Sequence, residues 1–387
     1  MVELGQILAG PFAGALLAYF GADVIKAEPP GEGDPIRGWR ELDRDGVSYW
    51  WRSLARNKRC VTLDLAATEG QTLARRLIAG ADVLIENFKP GTMERWGLGP
   101  ERLLGEQPRL IYARISGYGQ SGPYAGRPGY ASVGEAFGGL RFLTGMPGEV
   151  PVRANLSLGD SLAGLHAALG ILLALAARQT SGRGQVVDVA IFESVFNVLE
   201  SLVPEFAAAG VVRGPSGATI SGVVPSNAYP SADGAWVVVG ANNNSNFRRL
   251  MAVIGRADLG ADPSLAGNPG RVERQAEIDA AIAQWTRGHP ADEVVRRLVE
   301  AEVPASRILS VAEMAADPHY RARDLFQRLT VAGRELTLPA MLPRLTATPG
   351  GTDWAGPDLG AHNREVFGGE LGFSDAELAE LAARGVI

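Results

Sequence analysis

Apolar stretches and turns alternate regularly over the first third of the chain. Met1–Gly5 reads as a strand and Phe12–Phe20 as an apolar helix closed by Gly21. Asp23–Ala27 reads as a second strand, ended by Glu28-Pro29-Pro30. Pro11, after the turn Ala9-Gly10, stands at a first helical position, where its missing N–H costs nothing. The rhythm repeats with a strand over Val61–Leu65, a helix over Thr68–Ala79 and a strand over Val83–Glu86. A short helix over Met93–Gly97 and a strand over Leu110–Ile115 follow. Later, Gln185–Ala190 reads as a strand and Ile191–Phe206 as a helix. Strands alternating with helices predict a parallel sheet in a Rossmann-like α/β domain.

The longest apolar stretch, Asn155 to Ala177, predicts a long buried helix. It carries a single carboxylate, Asp160, directly after Gly159, and no other charge stands between Arg153 and Arg178. Unpaired N–H groups and the helix dipole favour an anion at that end. Two readings follow: an N-cap, a common role for Asp, or a nucleophilic carboxylate that is ionised and partly desolvated.

The pattern breaks at Gly210–Ser226, a Gly/Ser/Pro-rich linker. Beyond it, a hairpin over Tyr229–Gly240 turns at Asp233-Gly234. Helices over Phe247–Ile254, Val272–Arg287 and Ala291–Glu300, with a loop over Ala261–Arg271, complete a smaller α+β domain. From Asp324 the chain is extended again through Leu336–Leu338, and a last helix, Asp375–Arg384, has Ser374 as N-cap. The predicted division is a large α/β domain over 1–206, a linker over 207–226, a small α+β domain over 227–323, and a return segment over 324–387 that completes the large domain.

A length of 387 residues suits two domains, and 46% hydrophobic content fits an ordinary globular protein. The net charge of −6 argues against nucleic acid as a partner but permits a local basic patch. One cysteine, Cys60, rules out an internal disulfide and reads as a small, half-buried residue. The four histidines, His166, His289, His319 and His362, lack zinc-ligand spacing, so no metal is expected, and His166 reads as a core residue. The apolar run Leu162–Ala177 is shorter than the ~20 residues of a membrane span. No basic region precedes the first apolar stretch, as a signal peptide requires. A cytoplasmic location without a membrane partner is expected. Glu28 after the second strand fits an NAD-dependent dehydrogenase, but Gly5, Gly10 and Gly14 do not form G-x-G-x-x-G.

Seven segments, in this order, resemble the class III CoA-transferases, the CaiB/BaiF group. They are LAGPFAGALLAYFGADVIKAEPP (Leu8–Pro30), GDPIRGW (Gly33–Trp39), RNKR (Arg56–Arg59), ENFKPGTMERWGLG (Glu86–Gly99), ISGYGQSGPY (Ile115–Tyr124), the Gly159-Asp160 helix with SGRGQVVDV (Ser181–Val189), and LGAHNREV (Leu359–Val366). Together they cover nearly the whole chain. The resemblance implies that Asp160 is the nucleophile, forming a covalent aspartyl intermediate that passes CoA between carboxylic acids. It implies CoA contacts from Leu8, Ala9, Arg37, Leu63, Asn87, Phe88 and Arg95. It implies a CoA thioester as substrate without a permanently bound cofactor, and an interlocked homodimer.

The chain departs from the family in places. Ala66 stands where relatives often carry lysine. Val223-Val224-Pro225-Ser226-Asn227 replaces the glycine run of formyl-CoA transferases, which argues against formyl or oxalate substrates. Arg127-Pro128-Gly129-Tyr130-Ala131 lacks the histidine of family racemases, so two-base racemisation has no partner. Gly240-Ala241-Asn242-Asn243-Asn244 resembles the loop of relatives acting on succinyl-CoA and dicarboxylates. The expected reaction is CoA transfer to a small dicarboxylate, with Arg127, Tyr130, Asn227 and Asn242 as candidate substrate contacts. The alternatives are an acyl-CoA racemase or isomerase and a non-catalytic acyl-CoA-binding protein.

Overall fold

The structure, a computed structural model, describes residues 1–387. Six strands form one parallel sheet: β1 (Val2–Glu3), β2 (Val24–Glu28), β3 (Lys58–Thr62), β4 (Val83–Glu86), β5 (Ile111–Ser116) and β6 (Val186–Ala190), in the order β3-β2-β1-β4-β5-β6. The order reverses between β1 and β4, as in a doubly wound nucleotide-binding fold. Strands β1, β2, β4 and β5 are buried along their length, as strands covered by helices on both faces must be. The α/β class read from the alternating pattern is the class observed.

The chain divides into two compact units, Met1–Arg141 with Arg153–Val203 and His319–Ile387, and Phe142–Val152 with Pro204–Pro318. The first holds the parallel sheet. Its C-terminal segment closes the open edge of the sheet at β3. The N–H of Cys60 donates to His362 Nδ1 at 3.1 Å, and that of Thr62 to Asn363 Oδ1 at 2.9 Å. These contacts cover a strand edge that would otherwise present unpaired groups. Val366, Phe367, Leu381 and Ile387 join the core beside β3 and β4. Strands β7 (Ser226–Pro230), β8 (Trp236–Gly240) and β9 (Ala305–Arg307) form a separate antiparallel sheet in the second unit. Its core is Tyr229, Val237, Val239, Phe247, Leu250, Ile278, Ile282 and Leu298. The extended segment after Asp324 is a hairpin of β10 (Phe326–Val331) and β11 (Arg334–Pro339).

Several local expectations change. The first helix runs Ala9–Tyr19, so Pro11 lies inside its first turn and not at its start. β3 begins at Lys58, three residues before the predicted strand, because Lys58 is buried against Glu3 at 2.8 Å. Cys60 is completely buried, not half-buried, and burial pushes its thiol well above the usual range. The helix expected over Ile191–Phe206 is two helices, Ile191–Phe196 and Leu202–Ala209. The loop expected over Ala261–Arg271 holds the short turns Pro263–Leu265 and Asn268–Glu273.

The long helix spans Leu158–Ser181 and is buried on one side only. Ala163, Ala167, Ala168, Ile171 and Ala174 face the sheet, while Leu165, Leu169, Leu172 and Leu173 are each about half exposed, between 47% and 61%. Small side chains face inward because the helix lies close against β5, β6 and the Ala9–Tyr19 helix. By length and composition this helix also reaches the span of a membrane. Its alanine face belongs to the core packed against the sheet, and its leucine face does not. His166 is half-buried, with Nδ1 against Leu162 O at 2.9 Å and Nε2 against Asn197 Nδ2 at 3.1 Å.

Candidate active site

The loops after β1, β4, β5 and β6 surround a cavity of about 310 Å³. It lies where the strand order reverses, outside the carboxyl ends of the strands, the usual ligand position in this class of sheet. Leu8, Ala9, Asn87, Phe88, Arg127, Tyr130 and Asp160 all line it, together with Gln6, Ile7 and Lys89.

The β1 loop is held in a strained shape. Ile7 has φ 65°, an uncommon value for a β-branched residue. Its N–H donates to both carboxylate oxygens of Asp34, at 3.1 and 3.0 Å. Asn87 grips the preceding residue: its Oδ1 accepts from the Gln6 N–H at 2.7 Å and its Nδ2 donates to Gln6 O at 2.8 Å. Phe88 is set by its N–H to Glu86 Oε2 at 2.8 Å, and its ring meets Trp96 edge-on at 5.0 Å. Burial pushes the Glu86 carboxyl up to about 7, against the opposing pull of Arg114. Asp34 of the GDPIRGW motif and Glu86 of ENFKPG therefore shape the cavity wall without lining it.

Asp160 lies in the first turn of the long helix, and Ser157 occupies the N-cap position without a side-chain cap bond. The capping reading of Asp160 is thus corrected. A neighbouring carboxylate caps the helix instead, as Glu135 Oε1 accepts from the Gly159 N–H at 3.2 Å. Glu135 is 2% exposed and holds Arg153, whose Nε lies 3.1 Å from Oε2. Gly159 suits this approach, since a Cβ there would sit tightly at 3.2 Å from Ala131 O and 3.3 Å from Glu135 Cγ. Asp160 itself is half-buried. Burial first, and the Glu135 carboxylate second, raise its pKa to about 6, while Arg153 works the other way. Sequence reasoning missed Glu135; its only signal was a lone carboxylate in the small and apolar run Ala131–Gly139.

The other predicted contacts lie elsewhere. The Arg37 guanidinium binds Glu28 through Nε at 2.7 Å and Nη2 at 2.9 Å, and stacks 3.8 Å from the Trp51 ring. Leu63 is buried beyond β3, and its N–H donates to Glu28 O at 2.7 Å. Arg95 is exposed, with Nη2 donating to Thr92 Oγ1 at 2.9 Å. In the second unit, Asn227 Nδ2 donates to Asp279 Oδ2 at 3.1 Å, and Asn242 offers its carbonyl to Arg271 at 2.7 Å.

Asp160 is thus a half-buried carboxylate of raised basicity at a cavity on the switch point of a doubly wound sheet, the usual ligand position. The family model "CoA-transferase family III" matches residues 1–363, and the chain belongs to that family. Among its relatives is a succinyl-CoA–D-citramalate CoA-transferase of Chloroflexus aurantiacus, 48% identical over all of this chain and 96% of that protein. The alpha subunit of a succinyl-CoA–L-malate CoA-transferase of the same organism is 40% identical, over all of this chain and 91% of the subunit. A crystal structure of a CAIB/BAIF family protein from Brucella suis superposes with a TM-score of 0.83 at 33% identity, covering 97% of both chains. The protein is therefore a class III CoA-transferase.

Proposed function

We propose that the protein moves CoA from succinyl-CoA to a small dicarboxylate through covalent intermediates on Asp160. The observation that carries this reading is Asp160 itself, half-buried at the cavity with its pKa raised to about 6 by burial and by Glu135. At neutral pH such a group is ionised yet more basic than an ordinary carboxylate, a combination that suits a nucleophile. The names of the two Chloroflexus relatives support succinyl-CoA as donor and a dicarboxylate as acceptor.

The reaction runs in four steps. An Asp160 carboxylate oxygen attacks the thioester carbonyl, the C–S bond breaks, and a mixed anhydride and CoA thiolate form. The thiolate attacks the Asp160 carbonyl of the anhydride, which gives an aspartyl–CoA thioester and releases the donor acid as its carboxylate. The acceptor carboxylate attacks that thioester, forms a second mixed anhydride and expels the thiolate again. The thiolate then attacks the acceptor carbonyl, so the new acyl-CoA leaves and Asp160 returns as a carboxylate. No net proton is taken up.

Leu8, Ala9, Asn87 and Phe88 line the cavity that receives the thioester end. Leu63, Arg37 and Arg95 are assigned to the nucleotide end, where Arg37 offers only the N–H groups that Glu28 leaves free. Tyr130, 70% exposed, and the loop carrying Arg127 face the acyl group. Asn227 and Asn242 bond to Asp279 and Arg271 within the second unit and are given no part in this cavity. The working form is a cytoplasmic homodimer, supported by the half-exposed Leu165, Leu169, Leu172 and Leu173, an apolar stripe that calls for cover.

The test compares kcat/KM with succinyl-CoA as donor and mesaconate, citramalate, malate or glutarate as acceptor, against acetate, butyrate and oxalate. The four- and five-carbon dicarboxylates are expected to lead. A preference of roughly ten-fold for monocarboxylates or oxalate, about 1.4 kcal/mol in transition-state binding, contradicts the acceptor assignment. Light scattering that shows an active monomer contradicts the dimer.

A further inference from the structure

The basic side chains around the carboxyl edge of the sheet are mostly spoken for. Arg37 is held by Glu28, Arg114 by Glu86 at 2.7 Å, and Arg153 by Glu135 at 3.1 Å. Arg127 is different. It lines the same cavity as Asp160, and its guanidinium forms no ion pair. Its Cζ lies 3.5 Å from the centroid of the Tyr124 ring, and its own N–H donates to Tyr124 O at 2.9 Å. The ring orients the planar cation and leaves its edges, with their N–H donors, free. The loop that carries it is firmly based. A Cβ on Gly117 would come within 2.7 Å of Gly129 Cα, so the two backbones touch where the loop leaves β5 and returns. Tyr124 packs edge-on against Tyr118 and Phe137 at 6.1 and 5.9 Å.

Lys89 is the other cation in the cavity without an ion pair. Lys89 directly follows Asn87 and Phe88, on the β4 side. Arg127 lies four residues ahead of the Ala131–Phe137 helix, whose Ala131 carbonyl and Glu135 side chain abut Gly159, next to the nucleophile.

The geometry points to Arg127 as the specificity-determining residue that receives the distal carboxylate of the acyl group, on the Tyr124 ring as its platform. This inference rests on the CoA-transfer reading above and deepens it: the acid must carry a second, remote carboxylate. A guanidinium edge takes a carboxylate through two parallel N–H···O bonds. An acid whose far end is neutral leaves that edge unpaired.

The test is an internal competition. Succinyl-CoA is supplied with equal amounts of 13C-labelled succinate and succinamate, which has the shape of succinate with an amide in place of the distal carboxylate. The ratio of the two new thioesters, read by mass spectrometry, is the ratio of kcat/KM and depends only on the acceptor half of the reaction. The wild-type protein is expected to favour succinate by about 30-fold or more, roughly 2 kcal/mol. Arg127→Gln is expected to reduce that preference below about three-fold, while the ratio of butyrate to succinamate, read in the same kind of competition, changes by less than about three-fold. Arg127→Lys, which keeps the charge, is expected to retain an intermediate preference. An unchanged succinate preference in Arg127→Gln overturns the assignment. Wild-type protein that transfers CoA but does not distinguish succinate from succinamate overturns it too, and leaves the transferase reading standing. Absence of transfer to any acid defeats that reading itself.

Discussion

Beneath β1–β3, Glu3, Lys26, Asp34 and Lys58 are each at most 1% exposed, and each faces an opposite charge. Lys26 Nζ reaches Asp34 at 2.9 Å and Glu3 at 3.4 Å, while Lys58 Nζ reaches Glu3 at 2.8 Å. Burial works against the Lys26 ammonium, but the charges of Asp34, Glu3 and Glu28 outweigh it and hold its pKa above the ordinary value. Burial likewise works against the Asp34 carboxylate, yet Lys26 and the N–H groups of Ile36 and Ile7 hold its pKa low. Across the cavity, Asp160 is also withdrawn from water, and there the balance tips the other way. Burial and Glu135 dominate, and its pKa rises to about 6. Lys26 and Asp34 hold each other charged and Asp34 fixes the strained Ile7 turn, while burial lowers the pKa of Lys58 in spite of Glu3. Asp160 is left under-compensated. Glu86, in the wall, is raised further by burial, to about 7, so what sets Asp160 apart is that it also lines the cavity.

That contrast is broken most sharply at Asp160. Asp160→Asn keeps the shape and removes the nucleophile, so kcat is expected to fall by about 10⁴-fold or more. A residual activity above roughly one part in a hundred contradicts a covalent role. At the paired charges the large effect is on stability. Lys26→Met leaves Asp34 and Glu3 buried without their cation and is expected to cost about 3–5 kcal/mol, read as a lowered urea midpoint. An unchanged midpoint contradicts the claim that these charges hold one another.

The Asp160→Asn protein sharpens the comparison further. An Asp whose folded pKa is raised from 3.8 to about 6 contributes stability that is full below the unfolded value and is lost as pH rises through about 6. Ionised Asp160 therefore costs up to about 3 kcal/mol above that pH. At pH 8 Asp160→Asn is expected to melt above wild type, and the gap is expected to close as pH falls towards 4. The smallest effect lies in the pH profile. On the proposal that Asp160 reacts as its carboxylate, kcat/KM for the acyl-CoA is expected to fall about ten-fold per unit below pH 6 and to be level above it. A profile that is flat down to pH 4 contradicts the raised pKa.

The sheet was readable from sequence because its strands are buried on both faces and punctuated by Gly and Pro, as at Val83–Glu86 and Asp23–Ala27. Asp160 was readable because one charge in an apolar run is conspicuous. What stayed hidden depends on contacts between distant residues. Lys58 in RNKR looks like a surface cation, and only Glu3, 55 residues away, makes it a buried strand residue. Glu135 looks like any helical glutamate until the fold sets it against Gly159. The leucines of the long helix looked like core, yet the alanines took the inward face because the helix lies close to the sheet. Local pattern reports that a helix is apolar, not which of its sides the rest of the chain will cover.

The central claim is a covalent bond to Asp160, and trapping with hydroxylamine tests it most directly. The protein is incubated with succinyl-CoA, quenched with hydroxylamine and digested, and the peptide holding Gly159-Asp160 is sequenced by mass spectrometry. An anhydride or thioester on Asp160 is expected to yield its hydroxamate, only in the presence of acyl-CoA and not in Asp160→Asn. An unmodified Asp160 in protein that is turning over, or a hydroxamate on another carboxylate such as Glu135, contradicts the account.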